Sequence, residues 1–288
     1  MITLAEALAN QHGQSLIDAE IILADIIKRN RAFIITHPEK WLTATQLAHW
    51  HQAKRKLTAG YPVAYILEYK EFFGLNFLVN KYTLIPRPET ELMVEVVIAE
   101  IRKLKNKEII LIDVGTGTGC IPISIIKTRL FGGQAFAIDI SPAALRIAKK
   151  NAEHHGVNIK FVQGNLLQPF VKLINQTTYQ PITNVIITAN LPYLTQKQFT
   201  KEASIQKEPY AALVADSKNG LSLYAKLLTQ IQSLSLIVHC SLLIYLEIDP
   251  SQTKAITKLI KKSLPGVEIV IKKDLADRDR LVICKLTR

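Results

Sequence analysis

The chain has 288 residues, a length that favours about two domains. Hydrophobic residues make up 48% of the composition and charged residues 21%, which excludes a disordered or repeat-biased chain. Lys and Arg outnumber Asp and Glu by 36 to 24. The resulting net charge of +12 fits either a solvated basic surface or an acidic or nucleic-acid partner.

The three cysteines lie far apart, and no pair of Cys or of Cys and His has the spacing of metal ligands. This pattern indicates a reduced, cytoplasmic protein with no disulfide framework and no metal site. The N-terminus lacks a basic start followed by an apolar core, and the most apolar stretch, 234–248, is shorter than the roughly 20 residues of a membrane span. We therefore expect neither a signal peptide nor a membrane contact.

Residues 1–68 are predicted to form a small helical bundle. Ser15, with an acidic residue three positions later, is typical of a helix start. A second helix with apolar residues at helical spacing ends before Gly60. We expect Trp41 and Trp50 to lie in the core of this bundle.

Residues 69–88 form a separate segment, rich in aromatic and β-branched residues and containing Pro86 and Pro88. This composition predicts a hairpin or an extended linker, with Asn80 and Lys81 as its turn.

From residue 89 onward, an amphipathic helix is followed by alternating strands and helices. Such alternation predicts an α/β fold with a largely parallel sheet covered by helices on both faces. The last two strands have no helix between them, which predicts a closing hairpin. The predicted strands are 108–114, 134–138, 159–163, 184–189, 241–248, 267–272 and 281–286.

A glycine-rich loop follows the first of these strands, and Asp139 ends the next one. Glycines let the backbone turn tightly and approach a ligand, and a carboxylate in that position can accept hydrogen bonds from both hydroxyls of a ribose. The order of strand, loop, helix, strand and acid predicts a nucleotide-cofactor site, and a glycine turn without a ligand is the alternative. The loop consists of Gly115, Thr116, Gly117, Thr118 and Gly119.

The spacing of the glycines distinguishes between nucleotide cofactors. The dinucleotide fingerprint requires glycine where Cys120 stands, and no Gly-Lys-Ser/Thr run follows to make a phosphate loop. The remaining pattern resembles the first motif of S-adenosylmethionine-dependent methyltransferases.

A second motif, Asn190-Leu191-Pro192-Tyr193, directly follows an apolar strand. It resembles the (Asn/Asp)-Pro-Pro-Tyr motif of amino-methyltransferases, which methylate planar nitrogens. The Asn190 side-chain oxygen and the Leu191 backbone carbonyl can hold an NH₂ group, while an aromatic ring packs on its flat face. The same four letters occur in RNA adenine dimethyltransferases, so the motif leaves protein and RNA substrates open.

Three further stretches, 60–67, 71–74 and 85–91, resemble the peptide chain release factor glutamine methyltransferases. The resemblance extends to Glu208-Pro209 and to 246–248, so it covers nearly the whole chain. It implies a seven-stranded, Rossmann-like class I methyltransferase domain over 89–288, joined through the linker 69–88 to a helical domain over 1–68 that helps to bind the release factor.

The activity implied by this resemblance is methyl transfer from S-adenosyl-L-methionine to the side-chain amide nitrogen (N5) of the glutamine in the Gly-Gly-Gln motif of class I peptide chain release factors, the proteins of translation termination. It also implies a monomer that needs no direct contact with nucleic acid. By the same resemblance, Asn190, Pro192 and Tyr193 are catalytic and, with Leu191, bind the glutamine. The residues implied to bind the cofactor are Gly115, Thr116, Gly117, Thr118, Gly119, Asp139, Asn165, Leu166 and Asn190.

Four residues depart from the family pattern. Glu68 and Asp249 replace usual glycines, Asn165 replaces an aspartate near the adenine, and Leu191 replaces a proline. Because proline is usual there, we expect Leu191→Pro to be tolerated.

Two alternatives follow from the same residues. The +12 charge and Leu191 favour an RNA or DNA adenine N6-methyltransferase. The departures at Asn165 and Leu191 also fit a non-catalytic binder of translation factors.

Overall fold

The computed structural model describes residues 1–9, 15–104, 108–176, 184–237 and 240–286. The chain divides into two compact units, Met1–Lys70 and Glu71–Arg288. Within the described ranges, none of the helices has both the length and the apolar character needed to cross a membrane.

The first unit is helical, as the sequence predicts. Ser15 caps the second helix by accepting a hydrogen bond from the Asp18 N–H at 3.3 Å. Trp50 is buried at 1% exposure, whereas Trp41 is 59% exposed, so the prediction of a core position is wrong for Trp41. The Trp41 backbone pairs with Thr3, and this pairing holds the residue without burying its ring. The helices are α1 (Leu4–Leu8), α2 (Leu16–Ile27), α3 (Arg31–Thr36), α4 (Ala44–Thr58) and α5 (Val63–Leu67).

Glu68 and Asp249, which the resemblance marks as replacements of glycine, occupy different kinds of backbone position. Glu68 ends α5 with φ at +67°, in the left-handed region that favours glycine. Asp249 has φ at −72°, and its carboxylate accepts from the Ser251 N–H at 2.9 Å. The replacement therefore strains the backbone at Glu68 and adds a helix cap at Asp249.

A hairpin of β1 (Tyr69–Phe72) and β2 (Leu75–Leu78) follows. Its turn is Phe73-Gly74, where both residues have positive φ, so the prediction of a hairpin turn at Asn80 and Lys81 is wrong. Those two residues lie beyond β2, in a separate turn closed by the Thr83 N–H and the Asn80 carbonyl.

A seven-stranded sheet forms the centre of the second unit, in the order β5-β4-β3-β6-β7-β9-β8. β9 runs antiparallel to both of its neighbours, and the other pairings are parallel. The predicted fold class and closing hairpin are confirmed. The strands are β3 (Ile109–Val114), β4 (Gln134–Asp139), β5 (Lys160–Gln163), β6 (Asn184–Ala189), β7 (Ser241–Glu247), β8 (Glu268–Lys273) and β9 (Asp279–Leu286).

Helices cover the sheet on both faces because the strand side chains alternate between two apolar clusters. Ile110 and Ile112 pack in one cluster with residues of α9, α12 and α13, and Leu111 packs in the other with residues of α6 and α7. The helices are α6 (Glu91–Lys103), α7 (Cys120–Lys127), α8 (Pro142–His155), α9 (Gln168–Gln176), α10 (Gln196–Lys201), α11 (Tyr210–Leu213), α12 (Ser222–Ile237) and α13 (Thr253–Ser263).

One buried side chain joins the hairpin, the glycine loop and α8. Asn151 accepts from the Leu78 N–H at 2.8 Å and donates to the carbonyls of Leu78 and Thr118 at 3.1 and 2.9 Å. Its side chain is 0% exposed and thereby satisfies three backbone groups, of which the Thr118 carbonyl is buried.

We predict that Asn151→Ala lowers the free energy of unfolding by about 3 kcal/mol or more, because each stranded buried group costs about 1–3 kcal/mol. Denaturant titration measures the loss, and Lys150→Ala on the exposed side of the same helix, which we expect to stay within about 0.5 kcal/mol of wild type, is the control. Equal stability of the two variants would contradict this role of Asn151.

Candidate active site

A cavity of about 250 Å³ opens at the carboxyl ends of the parallel strands. This edge of an open α/β sheet is where ligands bind. Register explains why two motifs meet there: β3 pairs with β6 so that Val114 lies beside Ala189, and the next residues are Gly115 and Asn190. The predicted site residues that line the cavity are Gly115, Gly117, Asp139, Asn165, Leu166, Asn190, Leu191 and Pro192.

The other predicted site residues lie behind this lining. Thr116 and Thr118 are buried, at 5% and 2% exposure. A Cβ on Gly119 would lie 3.3 Å from the Cβ of Ala148, so this glycine allows close packing of the loop on α8. Tyr193 also lies outside the lining, with its hydroxyl 3.4 Å from Glu247 Oε1.

Two glycines of the loop have distinct roles at the cavity. Gly115 has φ at +75°, and a Cβ there would come within 2.9 Å of Leu191 Cδ2. Gly117 has φ at +55°, and a Cβ there would meet no atom within 4 Å. Gly115 therefore allows close contact between the two motifs, and Gly117 leaves open space beside the cavity.

Asp139 holds the glycine loop in place. Its Oδ2 accepts from the Gly117 N–H at 2.9 Å, and its Oδ1 accepts from the Ser141 N–H at 2.8 Å. Burial raises the pKa of this carboxyl, and the hydrogen bonds from Ser141 and Gly117 oppose the rise. A carboxylate oxygen accepts more than one hydrogen bond, so both oxygens can still accept from a ligand.

Residues of α12 and β7 hold the second motif in place through hydrogen bonds. The Leu191 N–H donates to the Tyr224 hydroxyl at 3.3 Å, and that hydroxyl donates to the Glu247 backbone carbonyl. Leu191 is 3% exposed and belongs to the apolar core. Leu191→Pro would remove this N–H and a packed side chain, so the structure argues against the tolerance expected from the sequence.

A strap, defined as residues 79–90 between β2 and α6, forms another wall of the cavity through Tyr82, Thr83 and Leu84. Glu208 fixes the strap: its Oε2 accepts from the Ile85 N–H at 3.0 Å, and its Oε1 pairs with the Arg87 guanidinium. The Glu208 side chain is only 1% exposed. The run 85–91, one of the stretches that carry the resemblance, thus includes the anchor of the strap.

Two buried carboxyl groups lie beneath the two motifs. Asp113 accepts from the Thr188 hydroxyl at 2.7 Å, and burial raises its pKa to about 6 against the opposing effects of Thr116 and Thr188. Burial likewise raises the pKa of Glu247 to about 7. The Thr90 hydroxyl, Arg280 and Tyr193 lower this pKa, and Glu89 raises it further.

Three curated relatives of this chain carry the same description. The chain is 37% identical over 235 residues to a release factor glutamine methyltransferase of Enterococcus faecalis, covering 80% of this chain and 78% of the relative. It is 36% identical over 266 residues to the one of Flavobacterium psychrophilum, at 91% and 88% coverage, and 30% identical over 287 residues to that of Bacillus subtilis, at 98% and 95%. The chain belongs to the release factor glutamine methyltransferase family.

Family models agree with this membership. A PrmC N-terminal domain model matches residues 2–67, and a methyltransferase domain model matches residues 105–243. Membership in the release factor glutamine methyltransferase family makes the chain an enzyme, which disfavours the non-catalytic binder considered from the sequence.

Solved structures share the fold at low sequence identity. The chain aligns with the hMettl16 catalytic domain in complex with MAT2A 3'UTR hairpin 1 at a TM-score of 0.57 and 16% identity, covering 93% of this chain and 91% of that one. The same domain in complex with hairpin 6 aligns at a TM-score of 0.53 and 16% identity, with 84% and 81% coverage. This likeness establishes the fold alone.

We predict that Glu247→Gln removes part of the pH dependence of stability. The folded carboxyl keeps its proton up to about pH 7, and the unfolded chain releases it near 4.5. The folded state therefore binds more protons in this window, and wild-type stability falls as pH rises through it. Glutamine has no proton to lose, so the variant should gain up to about 3 kcal/mol relative to wild type between pH 4.5 and 8. Denaturant titrations measure the free energy of unfolding of both proteins across this pH range. A difference between the two proteins that does not change with pH would show that Glu247 does not titrate there.

Proposed function

We propose that this chain transfers a methyl group from S-adenosyl-L-methionine to the side-chain amide nitrogen of the glutamine in the Gly-Gly-Gln motif of class I peptide chain release factors. The observation that carries the proposal is the juxtaposition of the Asp139-supported glycine loop and the Asn190 amide in one cavity. The descriptions of the relatives support the choice of substrate.

The lining of the cavity suits the proposed cofactor. The open space at Gly117 lets a ligand approach the backbone, and the Asp139 carboxylate can accept from both ribose hydroxyls. Leu166 offers an apolar contact for the adenine, and the Asn165 side-chain oxygen can accept from its amino group. The cofactor supplies an electrophilic methyl group on a sulfonium sulfur.

The second motif would orient the glutamine. The Asn190 side-chain oxygen and the Leu191 carbonyl accept from the substrate NH₂ group, and Pro192 and Tyr193 shape the turn around it. Methyl transfer forms one N–C bond, breaks one S–C bond with its electron pair left on sulfur, and releases one proton from the amide nitrogen. Because this nitrogen is barely basic, holding it in line with the methyl carbon is the main contribution of these residues.

We assign the helical domain, 1–68, to binding of the release factor, 69–88 to the linker, and 89–288 to methyl transfer. In the first unit, Ile35 and Trp41 expose 64% and 59% of their surface, which would suit a protein partner. The proposal further includes a cytoplasmic monomer whose reaction needs no nucleic acid.

Labelled methyl transfer to a purified class I release factor, followed by mass spectrometry of the Gly-Gly-Gln peptide, tests the proposal. We expect one methyl group on the glutamine. Label transferred to adenine in added RNA or DNA, with none on the release factor, would overturn the proposal in favour of an adenine N6-methyltransferase.

Asp139→Ala should weaken S-adenosylmethionine binding at least tenfold, because it leaves two ribose hydroxyls without acceptors and each stranded group costs about 1–3 kcal/mol. Calorimetry measures the affinity. Asp216→Ala is the matched control, since it removes an exposed carboxylate outside the cavity lining. Wild-type affinity in folded Asp139→Ala would remove Asp139 from the cofactor site.

Asn190→Ala should lower turnover on release factor by roughly 10²-fold, as misplacement of a reacting atom does. Cofactor affinity, measured by calorimetry, should change less than turnover. Asn158→Ala removes an exposed asparagine amide outside the cavity and should keep wild-type turnover. If Asn190→Ala matched this control, the amide would not hold the glutamine.

A further inference from the structure

The Asn190 amide is itself held by a neighbouring hydroxyl. Asn190 Nδ2 donates to Thr90 Oγ1 at 3.1 Å, and Thr90 is 3% exposed. Thr90 immediately precedes α6, where threonine usually caps a helix, yet its side chain makes no capping hydrogen bond. The hydroxyl is therefore available to the amide.

The direction of this hydrogen bond matters because an amide has a donor end and an acceptor end of nearly equal size. With Nδ2 on Thr90, Asn190 Oδ1 lies on the opposite side of Cγ, where an acceptor is needed for the glutamine NH₂. Rotation by 180° would turn Asn190 NH₂ toward the substrate NH₂ and set donor against donor. A hydroxyl can donate or accept, so Thr90 alone leaves both orientations open.

Glu247 removes this ambiguity. Its side chain is buried at 2% exposure, and Oε1 accepts from the Tyr193 hydroxyl. Oε2 is also buried, and among the described residues it has no hydrogen-bond partner of ordinary geometry. The Thr90 hydroxyl lowers the pKa of this carboxyl, which is the effect of a donor on an ionised carboxylate.

An ionised carboxylate only accepts hydrogen bonds, and leaving one of its oxygens unsatisfied in the interior is costly. When Glu247 is ionised, above its pKa of about 7, the Thr90 proton is therefore drawn toward this carboxylate, and Thr90 Oγ1 is left to accept from Asn190. Above that pH the order of donors runs from Asn190 through Thr90 to Glu247.

We propose that Thr90 is a positioning residue that, backed by Glu247, fixes the Asn190 amide with its oxygen toward the substrate. This inference rests on the proposed function, since the direction of Asn190 Oδ1 matters only if the group that receives the methyl is an NH₂. It assigns Thr90 to the orientation of a substrate NH₂ group, although Thr90 does not line the cavity.

Thr90→Val and Thr90→Ser test the inference, because valine keeps the shape without the hydroxyl and serine keeps the hydroxyl. At pH 8, above the pKa of about 7 for Glu247, kcat on release factor should fall about tenfold or more in Thr90→Val and stay within about threefold of wild type in Thr90→Ser. KM for S-adenosylmethionine should change little in either variant.

A second measurement needs neither cofactor nor substrate. In nitrogen-labelled protein, the side-chain NH₂ signals of Asn190, assigned by their loss in Asn190→Ala, should exchange with solvent faster in Thr90→Val than in wild type or Thr90→Ser. Unchanged exchange in Thr90→Val would overturn the hydrogen bond, and unchanged kcat would overturn the positioning role.

Equal losses in Thr90→Val and Thr90→Ser would also overturn the inference, because the hydroxyl would then be irrelevant. If wild type methylates no release factor while the exchange difference is present, the proposed function fails and the hydrogen-bond chain stands. The two failures are therefore distinguishable.

Discussion

Parallel pairing of β3 with β6 places Val114 beside Ala189, and the chain leaves the sheet at the next residue of each strand. The site depends on this register, because it sets Gly115 so close to Leu191 that a Cβ on the glycine would come within 2.9 Å of Leu191 Cδ2. A slip by one residue would send every side chain of β3 to the other apolar cluster. Both strands are buried along their whole length, so the apolar core that stabilises the second unit also fixes the spacing of the two motifs.

Buried carboxyl groups hold the loops that leave this edge of the sheet. Asp139 binds the glycine loop, Glu208 binds the strap, and Glu247 lies beneath the second motif. An ionised carboxyl group can only accept, so it dictates which way the neighbouring N–H and O–H groups point; Glu247 does so above its pKa of about 7. Their burial costs stability, as the raised pKa values of Asp139 and Glu247 indicate. These carboxyl groups therefore lower the stability of the fold and, in return, fix the directions of the hydrogen bonds at the site.

The sequence predicts the features that depend on local pattern. Alternating apolar strands and helices gave the sheet, and loop composition gave the two motifs that meet in the cavity. It could not predict partners far apart in the chain: Thr90 meets Asn190 across 100 positions, and Arg87 meets Glu208 across 121. It also misplaced the hairpin turn, because Phe73-Gly74 lacks the usual Asn-Gly signature.

Glu68 carries a side chain at a backbone angle that favours glycine. At φ +67° a side chain costs about 1 kcal/mol of strain relative to glycine. Glycine, however, has more conformational freedom in the unfolded chain. Replacing it reduces this freedom, which by itself raises the free energy of unfolding by about 0.4–1 kcal/mol. The strain outweighs this gain, but the net cost of about 1 kcal/mol or less is small beside the roughly 5–15 kcal/mol that stabilises a folded domain. A glycine at such a position can thus mark a backbone angle alone, and the glutamate found here is compatible with an intact fold.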